Sequence, residues 1–253
     1  MGGFPKTTYG SEQQTFNTFS VERNPVGSKM VIEDGRTFRF ANIGGTAAVN
    51  ARVFQALVPS ANGLTEAVDA IAAGQIDLTG VGSTSAGFAA GLFNDGYVVA
   101  DDSAQLDPIH QIRSHNEILV GSDVSTFTLR SELVDAIAGG EAISYIENPW
   151  RDIIVTPSSG PTGMPCGVIV VAIAANEFGW VATSGPTRVL EDLGNTVTAE
   201  GTMVSENVAG AVSVWIPDTD QGAVNTQAAP LGICMNQAVA NADKCLVWVR
   251  FIE

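Results

Sequence analysis

Apolar and polar positions alternate along most of this chain with the period of a strand rather than that of a helix. The clearest instance is Met-Val-Ile-Glu at 30–33, then Asp34-Gly35, then Arg-Thr-Phe-Arg-Phe at 36–40. Asp-Gly suits the positive φ angles of a type I′ turn, and Met30, Ile32, Phe38 and Phe40 would share one face of the hairpin. A short apolar stretch at 51–58 ends at Pro59, and further strands are predicted at 75–81, 97–100, 109–114, 126–130, 142–146 and 153–156. Only two segments offer helices: 64–73, where Leu64, Val68 and Ile71 have helical spacing, and 131–138. A parallel α/β sheet needs many more such segments between its strands.

The last third carries a weak repeat. Pro165-Cys166-Gly167-Val168 leads to Ala175-Asn176 and Trp180-Val181; Pro230-Leu231-Gly232-Ile233 leads to Ala240-Asn241 and Trp248-Val249. Each copy reads as strand, turn, strand, with a tryptophan on the return. Residues 1–28 are polar, with aromatics only at Phe4, Tyr9, Phe16 and Phe19, and read as an extended arm lying against a surface. The predicted fold is therefore mainly β: a β-barrel or β-sandwich of short antiparallel strands with an extended N-terminal arm. The predicted domains are the arm at 1–28, a main β domain of 29–63 with 157–253, and an inserted or second β-rich subdomain at 64–156.

Charge refines this picture. The 253 residues carry −15 at neutral pH, with only 15% charged residues. Residues 1–60 hold six bases and four acids, so the remainder holds 23 acids and six bases, a net −17. Such a body repels phosphate backbones and excludes nucleic acid as a partner. The longest apolar run, 168–175, is too short to span a membrane as a helix, and the N-terminus lacks the apolar core of a secretory signal. The chain is thus expected to work away from membranes and without export. A basic N-terminal stretch on an acidic body suits either an acidic protein partner or an ordinary solvated tail.

Candidate chemistry is sparse. His110 and His115, five apart on a predicted strand, point to opposite faces and make a poor metal pair. Gly80-Val81-Gly82 lacks the glycine spacing and the following helix of a dinucleotide loop, and there is no Gly-x-Ser-x-Gly elbow. Asp101-Asp102 and the pair Asp218 and Asp220 lack calcium-loop spacing. Cys166, Cys234 and Cys245 form no Cys-x-x-Cys pair and read as small packing residues. No catalytic residue, cofactor or metal is assigned, and an enzyme is not expected.

Several segments resemble a known family. Asp34-Gly35-Arg36-Thr37-Phe38-Arg39-Phe40-Ala41, followed by Val53-Phe54-Gln55-Ala56, resembles the opening of head-decoration (auxiliary or cement) proteins of tailed bacteriophages. Gly96-Tyr97-Val98-Val99 with Ile112-Arg113-Ser114-His115 is similar to the same group. So are Asn148-Pro149-Trp150 before Ile153-Ile154-Val155, and the run ending Phe178-Gly179-Trp180-Val181. The resemblance implies a virion structural protein on the outer surface of the capsid, bound to major capsid protein subunits, commonly a homotrimer, and without catalytic residues. On that reading the arm makes the capsid or inter-subunit contact through Phe4, Tyr9, Phe16 and Phe19 with Lys6, Arg23 and Lys29. The alternative is a β-rich carbohydrate-binding or adhesion module using Trp150, Trp180 or Trp215.

Overall fold

A computed structural model describes residues 7–58, 66–82, 87–100, 109–121, 125–192, 201–204, 208–214, 231–236 and 244–251. The architecture is mainly β, with no α-helix among the described residues. The chain divides into two compact units, Met1–Val58 with Pro149–Glu253, and Pro59–Asn148. The excursion thus lies at 59–148, whereas 64–156 was expected. Strand β12 (Ile154–Val155) pairs antiparallel with β5 (Val53–Gln55), which ties the segment after Asn148 to the first unit.

Unit 1 is built on β14 (Phe178–Leu190), the longest strand described. It pairs antiparallel with β2 (Thr18–Phe19), β4 (Thr37–Asn42), β13 (Pro165–Ile169) and β18 (Lys244–Arg250). From β14 the sheet runs one way through β4 to β3 (Lys29–Val31) and β1 (Thr7–Tyr9). The other way it runs through β18 to β17 (Gly232–Asn236), β15 (Gly201–Val204) and β16 (Val212–Val214). Alternation sends successive side chains of β4 and β14 into two cores. One gathers Met30, Ile32, Phe38, Phe40, Trp180, Val247 and Val249; the other gathers Ala41, Ile43, Phe54, Ile169 and Val181. Phe40 is the hub of the first, with ring centroids 5.1 Å from Trp180, 5.9 Å from Phe178 and 6.0 Å from Phe19.

The β3–β4 hairpin forms where the alternation places it, but its turn is different. Ile32 accepts from the Gly35 N–H at 3.0 Å and donates to the Arg36 carbonyl at 3.1 Å, which leaves a three-residue loop, 33–35. Of Asp34 and Gly35, only Gly35 has positive φ, at 84°. This is the turn-plus-bulge geometry, not type I′, which needs both central residues at positive φ. The Asp34 carboxylate accepts from the Arg36 N–H at 3.0 Å, a bond that the bulge makes available.

Unit 2 is a six-stranded sheet in the order β6 (Glu66–Ala67), β11 (Ala142–Ile146), β8 (Tyr97–Ala100), β9 (His110–His115), β10 (Ser125–Leu129), β7 (Asp77–Val81). Its two ends meet, because the Asp69 N–H donates to the Thr79 carbonyl at 3.1 Å. Of the two candidate helical segments, 66–73 and 131–138 are not helices, and Leu64 lies outside the described residues. They hydrogen-bond to each other instead: Ile71 and Ile137 exchange bonds in both directions, and Gly74 donates to Leu133. Val68, Ile71, Leu133 and Ile137 all enter the core, so three-residue spacing here marks burial in irregular extended chain. Pairing between these two distant segments satisfies the backbone that a helix would have satisfied locally.

The core of unit 2 is aromatic. Phe93 lies 4.8 Å from Tyr145 and 6.1 Å from Phe127, and His115 packs on both phenylalanines. The Phe93 N–H donates to His115 Nε2 at 2.9 Å, so the imidazole proton sits on Nδ1 and donates to the Asn116 carbonyl at 2.6 Å. Burial pushes the His115 pKa down, partly opposed by the Asn116 bond.

Two outcomes follow from these cores. Phe40→Ala is expected to destabilise unit 1 by about 3–5 kcal/mol in urea unfolding followed by tryptophan fluorescence, since it empties the ring cluster. His115 should titrate below the ordinary imidazole value of about 6.5, as read from its ring proton in NMR. The unfolded chain then binds the extra proton first. Stability is full above about pH 6.5 and is lost as pH falls from there towards the folded pKa, a slope that His115→Gln should remove.

Candidate functional site

The N-terminal segment concentrates the candidate contact residues, and from residue 7 onward it is laid against unit 1. β1 pairs in parallel with β3, matching Thr7 to Lys29 and Tyr9 to Val31, and the Gly10 N–H continues the ladder to the Val31 carbonyl at 2.9 Å. A Cβ at Gly10 would press on the Met30 and Gln14 side chains and oblige them to shift. A short 3-10 helix, Glu12–Phe16, follows; the Gln14 side chain accepts from the Ser11 N–H at 2.9 Å and so caps its start. β2 then joins β14, with Phe19 opposite Phe178.

One guanidinium clamps this segment to the hairpin loop. Arg36 reaches Glu12 at 2.6 Å and Asp34 at 2.6 Å. The Arg36 backbone N–H, with its guanidinium, holds the Asp34 carboxyl below the usual carboxylate range. Burial pulls the Arg36 pKa down, yet bonds to Glu12 and Asp34 outweigh it and raise the value overall. The three groups border an open groove of about 560 Å³, lined also by Tyr9, Gln13 and Ile32. Sequence reasoning gave Arg36 no role in the contact. Its partner Glu12 is 24 residues away, and no local spacing signals that pair.

The expected contact residues fall into separate roles. Tyr9 is 88% exposed and Phe16 47% exposed, and Arg23 is also exposed. Phe19 is a packing residue against Phe40, and Lys29 is half-buried within β3. Phe4 and Lys6 lie outside the described residues, as do Asp101, Asp102, Asp218, Asp220 and Trp215.

The remaining candidate groups serve the fold. Trp150 is buried beneath the Arg39 guanidinium, 4.8 Å from its ring centre, and Trp180 is buried in the Phe40 cluster. Neither presents a platform to a sugar. Trp248 is the exposed tryptophan among those described, at 50%. The two hairpins of the sequence repeat both form, β13 with β14 and β17 with β18, yet Trp180 faces inward and Trp248 outward. His110 and His115 engage different partners, Ser131 Oγ at 3.1 Å for the first and the Phe93 amide for the second. Asp95 is buried with positive φ, 62°; it is paired with Arg130, while Gln111 and Asn148 donate to its carbonyl at 3.0 and 3.1 Å. No group of three or more metal-binding side chains occurs among the described residues.

The three thiols are buried. Burial pushes Cys166 up to about 12, and pushes Cys245 up to about 12 with the nearby Glu191 adding to the shift. Cys234 shifts upward for the same two reasons. They are protonated at neutral pH and poor nucleophiles.

Comparisons of the chain with models of protein families, with curated proteins and with solved structures found no match.

In the native protein the three cysteines should react with a thiol reagent such as iodoacetamide at least about tenfold more slowly than in urea, because the thiolate is both scarce and covered. Fast labelling of any of them without denaturant would contradict the burial described.

Proposed function

We propose that the chain is a virion structural protein that decorates the outside of a phage capsid by binding major capsid protein subunits, as a homotrimer. The observation that carries this reading is the clamped N-terminal segment. Tyr9 and Phe16 stand in solvent on backbone already fixed by the β1 ladder, the Arg36 bridge and Phe19. Large aromatics held in place bind without the ordering penalty that a loose tail would pay. Shell cementing asks for such preformed contacts, repeated by symmetry, rather than a reaction centre. The residues behind the family resemblance also occupy framework positions: Gly35 closes the hairpin, and Phe38, Phe40, Phe54 and Trp180 are buried.

Removing all of residues 1–28 is a poor test, since it takes Phe19 from the Phe40 cluster and β1 from the edge of the sheet. The discriminating variant is Tyr9→Ser with Phe16→Ser, which leaves every strand intact. It should bind shells assembled from the cognate major capsid protein at least about tenfold more weakly in co-sedimentation, a loss of about 1.4 kcal/mol or more, with an unchanged melting temperature. Equal occupancy by variant and wild type would remove the segment from the contact. Absence of wild-type binding to such shells would remove the decoration role.

A further inference from the structure

A second surface of unit 1 has the composition of a binding face. Beyond the register shift between Ala182 and Ser184, β14 turns Pro186 and Arg188 outward between buried Thr187 and Val189. β18 turns Leu246, Trp248 and Arg250 outward around buried Val247 and Val249, and β17 turns Ile233 and Met235 outward around buried Cys234. Registers align Ile233, Trp248 and Pro186 in one row across three strands and set Arg188 opposite Leu246. Directly paired residues have Cβ atoms about 4.5–5.5 Å apart and diagonal ones about 7–8 Å. The Trp248 indole therefore has an apolar neighbour on each side and an arginine within side-chain reach along its strand and across the diagonal. Ile233 at 60% and Met235 at 52% exposure extend the apolar area.

The charge of this face is opposite to that of the chain. The 25 residues of β14, β17 and β18 contain no Asp or Glu, while Arg188, Lys244 and Arg250 are all bases. The whole chain has 27 acids to 12 bases. Trp and Arg are also the side chains that most often dominate binding energy at interfaces. From this combination we infer that the outer face of β14, β17 and β18 binds an acidic, apolar-rich segment of a partner protein, with Trp248 as the anchor and Arg188 and Arg250 as the charge contacts. Nucleic acid fits less well. A long polyanion would meet the acidic remainder of the molecule, and the Ile233–Trp248–Pro186 row gives a phosphate backbone nothing to pair with. The inference is independent of the capsid reading, because it concerns other strands and other residues.

The test pans the full-length chain against a display library of short random peptides, then measures the selected peptides by Trp fluorescence or polarisation. Selected sequences should be enriched in Asp and Glu interleaved with aliphatic or aromatic residues. Their affinity should fall with added salt. It should also fall at least about tenfold in Trp248→Ser and in the double variant Arg188→Glu with Arg250→Glu, which removes no packed side chain. Tyr9→Ser with Phe16→Ser should bind the peptides as wild type does, so this face and the N-terminal contact fail or stand separately. Four results would overturn the inference: selection with no acidic bias, peptide binding untouched by both face variants, a duplex DNA oligonucleotide bound in an Arg188-dependent way, or a self-association in sedimentation that Trp248→Ser dissolves.

Discussion

Unit 1 depends on the backbone of one strand. β14 runs in ladders with β2, β4, β13 and β18, and β3, β5 and β17 each pair with one of those strands, so most of the unit is positioned by it directly or through one neighbour. Near Trp180 and Val181 both faces of the strand are covered by core, so its N–H and C=O groups there have to be satisfied within the ladders. The shift in register at Ala182 and Ser184 is what lets it serve two environments. Before it, both faces of the strand are covered by core; after it, one face is core and the other carries Pro186 and Arg188 to solvent. A bulge is a common way to re-aim side chains within a continuous strand.

The same division between fixed backbone and displayed side chains recurs in the N-terminal segment. Its short elements would not hold alone: three residues of strand, five of 3-10 helix and two of strand. They hold because each is docked on a different part of unit 1, β1 on β3, Glu12 on Arg36, Phe19 on Phe40. Ion pairs as exposed as Glu12 with Arg36 contribute little to stability, so the packing of Phe19 and the β1 ladder do most of the holding. What the bridge adds is direction, since it sets where the 3-10 helix sits relative to the hairpin loop.

Much of the fold was legible because period-two alternation is a local signal. Strands at 97–100 and 142–146 lie where the pattern put them, and Met30, Ile32, Phe38 and Phe40 do share a core. The misreadings have physical causes. Val68 and Ile71 carry helical spacing by coincidence, and only backbone pairing with distant residues, Gly140 and Glu141 for Val68 and Ile137 for Ile71, decides that they are extended. Asp34-Gly35 is compatible with two hairpin turns, and the backbone selected the one that needs a single positive φ. Among the candidate contact residues, sequence grouped Tyr9, Phe16 and Phe19 alike, and no local signal separates the two exposed rings from Phe19, which packs on Phe40. Trp248 was grouped with Trp180 through the repeat. A one-residue difference in phase puts matching residues on opposite faces, and no motif records that phase.

The junction of the excursion has a consequence of a different kind. Gln55 and Ile154 are direct partners across β5 and β12, so the chain leaves unit 1 and returns to it at neighbouring backbone positions. Closing a loop between fixed, adjacent ends depends only weakly on how many residues the loop contains. In the history of such a gene, the stretch between Val58 and Pro149 is therefore a place where a module can be gained, exchanged or shed while the remaining strands keep their register. Lineages that share the framework of unit 1 should differ most in length at this junction.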